Sequence, residues 1–220
     1  MSLDWFRRTT WSPEDETDFF ARLRRARPHN RSQYLRIQAW HLEEAGTREL
    51  LSVALHLLDL LLREYPDRGQ MNQVLHQRVA CLKKLGRTEE ALKACQDALA
   101  AERSFPNVQT SAYLDYGELV LALRKQELYD EALLTLAEFG KSEPFPVLAY
   151  RHAVIRAFIA DERRDETMAK EWARRALAAA DRTQSPFRHH QQLGLVGDQD
   201  HDVEVRLRRL AAGPSPHGRA

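Results

Sequence analysis

Three groups of residues in the 220-residue sequence are of types that bind or react. His189 and His190, with His201 and Asp202 downstream, offer the donors that a transition metal takes. Adjacent histidines in an irregular segment point in divergent directions, and no third ligand follows at a recognisable spacing. No metal is expected. Gly194-Leu195-Val196-Gly197 lacks the glycine count and the following Lys-Ser/Thr of a phosphate loop, and reads as a turn. Arg22, Arg24, Arg25, Arg27 and Arg31, with His29 among them, would suit phosphates. Glu14, Asp15, Glu16 and Asp18 precede them on the same segment, and acids first with bases last is the order that a solvated helix dipole favours.

Cys81 and Cys95 occupy apolar positions of consecutive helical patterns and read as buried, reduced thiols. No Ser-His-Asp or Cys-His arrangement is visible, and His41, His56, His76 and His152 are scattered as packing or surface residues. The expectation is a protein that is not an enzyme and holds no cofactor.

Composition narrows the partners. The 33 basic and 32 acidic residues nearly cancel, so nucleic acid and anionic membranes are not expected by default. The opening MSLDWFRRTTW has no apolar core of signal-peptide length, and no later run approaches the roughly 20 apolar residues of a membrane span. A cytoplasmic location is expected. With 30% charged residues and only 9 Gly and 9 Pro, the chain reads as helical.

The elements follow from periodicity. Ser12-Pro13-Glu14-Asp15 is a helix start, with Phe19, Phe20 and Leu23 as its apolar stripe and a run to about Arg27, where Pro28 ends it. Four helical pairs follow from Ser32. The second is the clearest: Leu75, Val79 and Leu82 precede Gly86, and Ala91, Leu92, Cys95, Ala98 and Leu99 follow it at helical spacing. A third pair spans about Gln109 to Gln126 and Tyr129 to Phe139, and a fourth about Pro146 to Ala160 and Glu166 to Ala179. A last helix, Asp202 to Ala212, offers Val203, Val205, Leu207 and Leu210 to the end of the stack. Trp5, Phe6 and Trp11 form an aromatic arm with two open readings, a cap on the first hairpin or a hook for a partner.

The second helices of the pairs align on Ala54, Ala91, Ala132 and Ala169, at steps of 37, 41 and 37. Ala91, Cys95 and Ala98 form a small, large, small series, and Pro66 and Pro144 close units. This pattern resembles the tetratricopeptide repeat over about residues 32–181. The first-helix crossing position is Ala39 in one unit and Val79 and Val120 in the next two, so the repeats are degenerate. The whole chain, with WFRRTTW, YLRIQA and FRHHQQLGLV, also resembles a group of uncharacterised bacterial tetratricopeptide proteins that brings no activity with it.

The resemblance implies an all-α solenoid of about four hairpins. Residues 1–31 would be a capping arm and helix, 32–181 the repeats, 182–212 a loop and capping helix, and 213–220 a tail. In the family's geometry the first helices line the inner groove. That register places Arg36, Trp40, Gln73, His76, Lys83, Lys84, Arg124, Lys125, His152 and Arg156 along it. Such a groove suits an acidic extended peptide or a free carboxylate, although cations near first-helix ends also answer the helix dipole in water. The expected function is a protein-interaction scaffold. Two alternatives stay open: a self-associating, homo-oligomeric regulatory module that senses a ligand, and a nucleic-acid binder that uses Arg22 to Arg31.

Overall fold

The computed structural model describes residues 4–141 and 144–213. Among them the chain forms ten α-helices and no strand. Helix α1 (Pro13–Arg25) opens on a reciprocal cap, in which the Ser12 hydroxyl accepts from the Asp15 amide at 3.1 Å and the Asp15 carboxylate from the Ser12 amide at 3.0 Å. It ends at Arg25, two residues earlier than the sequence suggested, because Ala26 is extended ahead of Pro28. Pro28 then begins α2 (Pro28–Ala45), four residues before Ser32, since a proline suits the first turn of a helix.

Helices α3 (Arg48–Glu64), α4 (Met71–Lys84) and α5 (Thr88–Ser104) follow. After them come α6 (Ala112–Ala122), α7 (Tyr129–Phe139, entered through a 3-10 turn at Gln126–Leu128), α8 (Pro146–Glu162), α9 (Glu166–Ala180) and α10 (His201–Ala212). The third pair is shorter than its periodicity implied, as Thr110 and Ser111 remain in the approach to α6.

The chain divides into two units, Met1–Ala112 and Tyr113–Ala220. In the first, α2 packs on α3, α4 on α5, and α3 on α4. Ala39, Ala54, Ala91 and Ala98 are fully buried, so backbones approach closely where the helices cross. Leu57, Leu58, Leu61, Leu82 and Leu99 fill the space between them. The aromatic arm lies against this unit: Trp5 meets Phe19 and Tyr34 at 5.3 and 5.0 Å, and Phe6 meets Tyr34 at 4.6 Å. Buried Gln38 fastens the arm, accepting from the Arg8 amide at 3.0 Å and donating to the Arg8 carbonyl at 2.8 Å. Arg8 also bridges Asp15 and Asp18 of α1.

In the second unit α8 pairs with α9, and α10 packs on both. Its alanines form the seam: Ala153, Ala157, Ala173 and Ala176 surround Leu207, which is fully buried. Val203 and Leu210 join this cluster, whereas Val205 is 51% exposed because two residues along a helix is more than half a turn away. Arg206 ties α10 to α8 through Asp161, at 2.7 and 3.0 Å.

Side-chain bonds between neighbouring hairpins recur at one spacing. In the first unit Ser32 reaches Asp67, Arg36 reaches Gln70, and Asn72 reaches the carbonyls of Phe105 and Val108, each 33 to 36 residues apart. In the second, Arg151 reaches Glu118 and Asp115, Tyr129 reaches Glu162, and Arg163 reaches Asp130, 33 to 36 residues apart. Within each unit, neighbouring hairpins are therefore bonded at about one repeat length, as in repeat architectures. Among the described residues no helix is long and apolar enough to cross a membrane.

Candidate functional site

Of the ten residues that the repeat register selects, six belong to the first unit and four to the second. In the first unit α2 and α4 lie side by side, held by Arg36 to Gln70 near the start of α4 and by Lys84 to Glu43 at its end. Arg36, Trp40 and Glu44 follow one another every fourth residue along α2 and share one face. Trp40 is 49% exposed, and its ring edge rests on His41 at 4.8 Å.

Arg36 is half-buried, and its Nε donates to the Gln70 amide oxygen at 3.0 Å, a neutral partner. Burial pulls its pKa below the ordinary arginine value. The guanidinium keeps its charge in any protein environment, so this is a desolvated cation bonded to an uncharged acceptor.

The other four members of this group differ. Gln73 is exposed, and His76 is half-buried with Nε2 3.4 Å from the Ser111 hydroxyl. Lys83 is half-buried and already engaged. Lys84 meets Glu43 at 3.1 Å and Glu44 at 3.5 Å. Desolvation opposes its charge, but bonding to Glu43 and then Glu44 outweighs it and raises its pKa. Glu43 is itself buried, so Lys84 supplies the counter-charge of an interior carboxylate.

In the second unit Arg124 is exposed just beyond α6 at φ +52, a conformation rare outside glycine, and Lys125 after it is half-buried. His152 and Arg156 turn toward α7 and α9. The Arg156 Nε donates to His152 Nε2 at 2.7 Å, and its Nη2 reaches the Leu133 carbonyl at 3.5 Å. Both stack against Trp172, His152 at 5.7 Å and Arg156 at 4.8 Å, with Arg175 over the same ring at 4.4 Å. The polar side chain of α8 that bonds to α6 is the neighbouring Arg151, which clasps Glu118 with two bonds of 2.6 and 2.9 Å and Asp115 at 3.1 Å. Repeat register alone does not separate Arg151 from His152, which sit one residue apart.

Sequence reasoning missed a cavity of about 400 Å³ in the second unit, between α6, α8, α10 and the 196–200 segment. Val147, Tyr150, Val154 and Phe158 of α8 form one wall and Val203 of α10 another. The turn through Gly194 holds the segment in place. Its carbonyl accepts from the Val147 amide at 3.0 Å, and at φ +79 an added Cβ would lie 2.2 Å from the Phe145 ring. The only hint in the sequence was that α8 carries more apolar residues than one packed face requires.

The remaining chemical residues serve local structure. Arg22 pairs with Asp18, and Arg31 reaches back to the carbonyls of Ala26 and Arg24, closing the end of α1. Burial pushes the Cys81 thiol up to about 12, so it is not a ready thiolate, and Cys95 is buried as well. Glu102 is fully buried, and its carboxylate accepts from the amide and hydroxyl of Thr110 ahead of α6. Among the described residues no three His, Cys, Asp or Glu are grouped as a metal would need. No family model, curated protein or solved structure matches this chain.

Proposed function

We propose that the protein is a non-enzymatic interaction module, a tetratricopeptide-like helical solenoid, and that the α2–α4 face of its first unit binds an extended acidic segment of a partner protein. The observation that carries this reading is the pairing of Arg36 with Trp40. A desolvated guanidinium bonded to a neutral amide gains from an incoming carboxylate, which offsets the hydration that burial removed. One turn further along the same face, the half-exposed indole offers apolar contact to the residue beside that carboxylate. The ladder of bonds at about one repeat length within the first unit supports the repeat reading, because it ties each hairpin there to its neighbour in the same register.

The test is selection from a displayed library of random twelve-residue peptides against the full chain. The expected outcome is enrichment of sequences with Asp or Glu within a few residues of an aromatic or leucine, and loss of that enrichment when Trp40→Ala is the bait. Enrichment of basic sequences, or an unchanged set on the variant, would reject the reading.

A further inference from the structure

We propose that the second unit carries a binding site for a small organic ammonium ion, an apolar body with an N–H-bearing cationic head, in the cavity between α6, α8, α10 and the 196–200 segment. The volume of about 400 Å³ lies within the range of small-molecule sites, roughly 300 to 1,000 Å³. Its walls are apolar, and Val147, Tyr150, Val154, Phe158 and Val203 are each only half-buried, so they hold apolar surface that neighbouring helices leave uncovered.

The polar groups at this cavity select the head group. Gln199 is part of the lining, and its Oε1 is buried without a hydrogen-bond partner, an acceptor that an N–H would satisfy. The charged residues of the lining are Glu118, Asp198, Asp200 and Arg151. Arg151 already holds Glu118 and Asp115, so its charge is answered from within the fold. Asp200 turns one oxygen to the amides of Asp202 and Val203 at the start of α10, and Asp198 is exposed. The field inside is therefore negative, and a carboxylate ligand would meet repulsion where an ammonium meets attraction.

The aromatic walls agree. Arg206 already sits 4.0 Å over Phe158, so a guanidinium finds that ring favourable, and Tyr150 stands about two helical turns away on the same helix. Burial, followed by the fields of Glu204 and Asp200, raises the Tyr150 phenol's pKa and keeps it neutral.

The experiment is a titration of the isotope-labelled full chain, followed by amide resonances, with phenethylammonium, 2-phenylethanol and 3-phenylpropionate. The ammonium is expected to give saturable shifts confined to residues 147–158 and 196–203, the alcohol to bind at least about fivefold more weakly, and the carboxylate to give no saturation. Asp198→Asn should weaken the ammonium about twofold to fivefold and leave the alcohol unchanged. Val154→Trp, which fills the cavity, should abolish both. Should Val154→Trp not fold, Asp198→Asn with the three-ligand comparison decides alone. Equal affinity for alcohol and ammonium, shifts mapping elsewhere, or no saturation by about 10 mM would overturn the site.

Discussion

Lys84 and Arg36 both looked like groove cations in the sequence, yet their surroundings make them different residues. Lys84 neutralises buried Glu43, and its removal strands an interior carboxylate. Lys84→Glu should therefore lower stability by about 1 to 3 kcal/mol, less than the roughly 3 to 5 kcal/mol for breaking a fully buried pair because the lysine is itself substantially exposed. Urea denaturation measures this, and an unchanged midpoint would show that Glu43 does not depend on it. Glu102 gives a second test. Burial raises its pKa above the ordinary 4.5 despite the opposing bonds from Thr110, so the native state holds this proton more tightly than the unfolded chain. The associated stability is complete below about 4.5 and is lost as pH rises through the raised folded value. Glu102→Gln cannot ionise, and should gain on the wild type as pH is raised from 4 toward 8 in parallel melts. A difference independent of pH would contradict the assignment. Residue types were legible in the sequence, but their charge partners were not, because Glu43 and Lys84 meet only when α2 and α4 lie side by side.

At the scale of elements, local signals read well and register read less well. Ser12-Pro13 marked the start of α1 because a cap and a first-turn proline act within four residues. Pro28 stops one helix and starts the next, and only the first role was visible. In α8 the seam runs through Ala153 and Ala157, whose small side chains let α9 come close, while Val154 and Phe158 pack beside it and also border the cavity. Ala91, the crossing alanine of α5, is also fully buried. Ala91→Leu should overpack α4 on α5 and cost about 1 to 3 kcal/mol. Leu207→Ala should cost about 2 to 5 kcal/mol and loosen α10, since Leu207 is the residue of that helix fully buried among the alanines of α8 and α9. Amide exchange read along α10 checks the second: protection there that matches the wild type would show that Leu207 does not hold the helix.

For the whole molecule, an all-helical chain was legible from periodicity alone, while its division at Ala112 into two units was not, since α6 begins without a composition shift. The cavity stayed hidden for a similar reason. Its lining joins Glu118, Tyr150 and Gln199 from three separate stretches, one of them an irregular segment with no period to read. The Arg36–Trp40 face of the first unit carries the proposed activity. Calorimetric titration of the best library-selected acidic peptide into the wild type, Trp40→Ala and Arg36→Gln measures that claim directly. Affinity should fall at least about tenfold for each variant, with unfolding free energies of variants and wild type from urea melts within about 1 kcal/mol of one another. Unchanged affinity in both variants would contradict the assignment of this face as the binding surface.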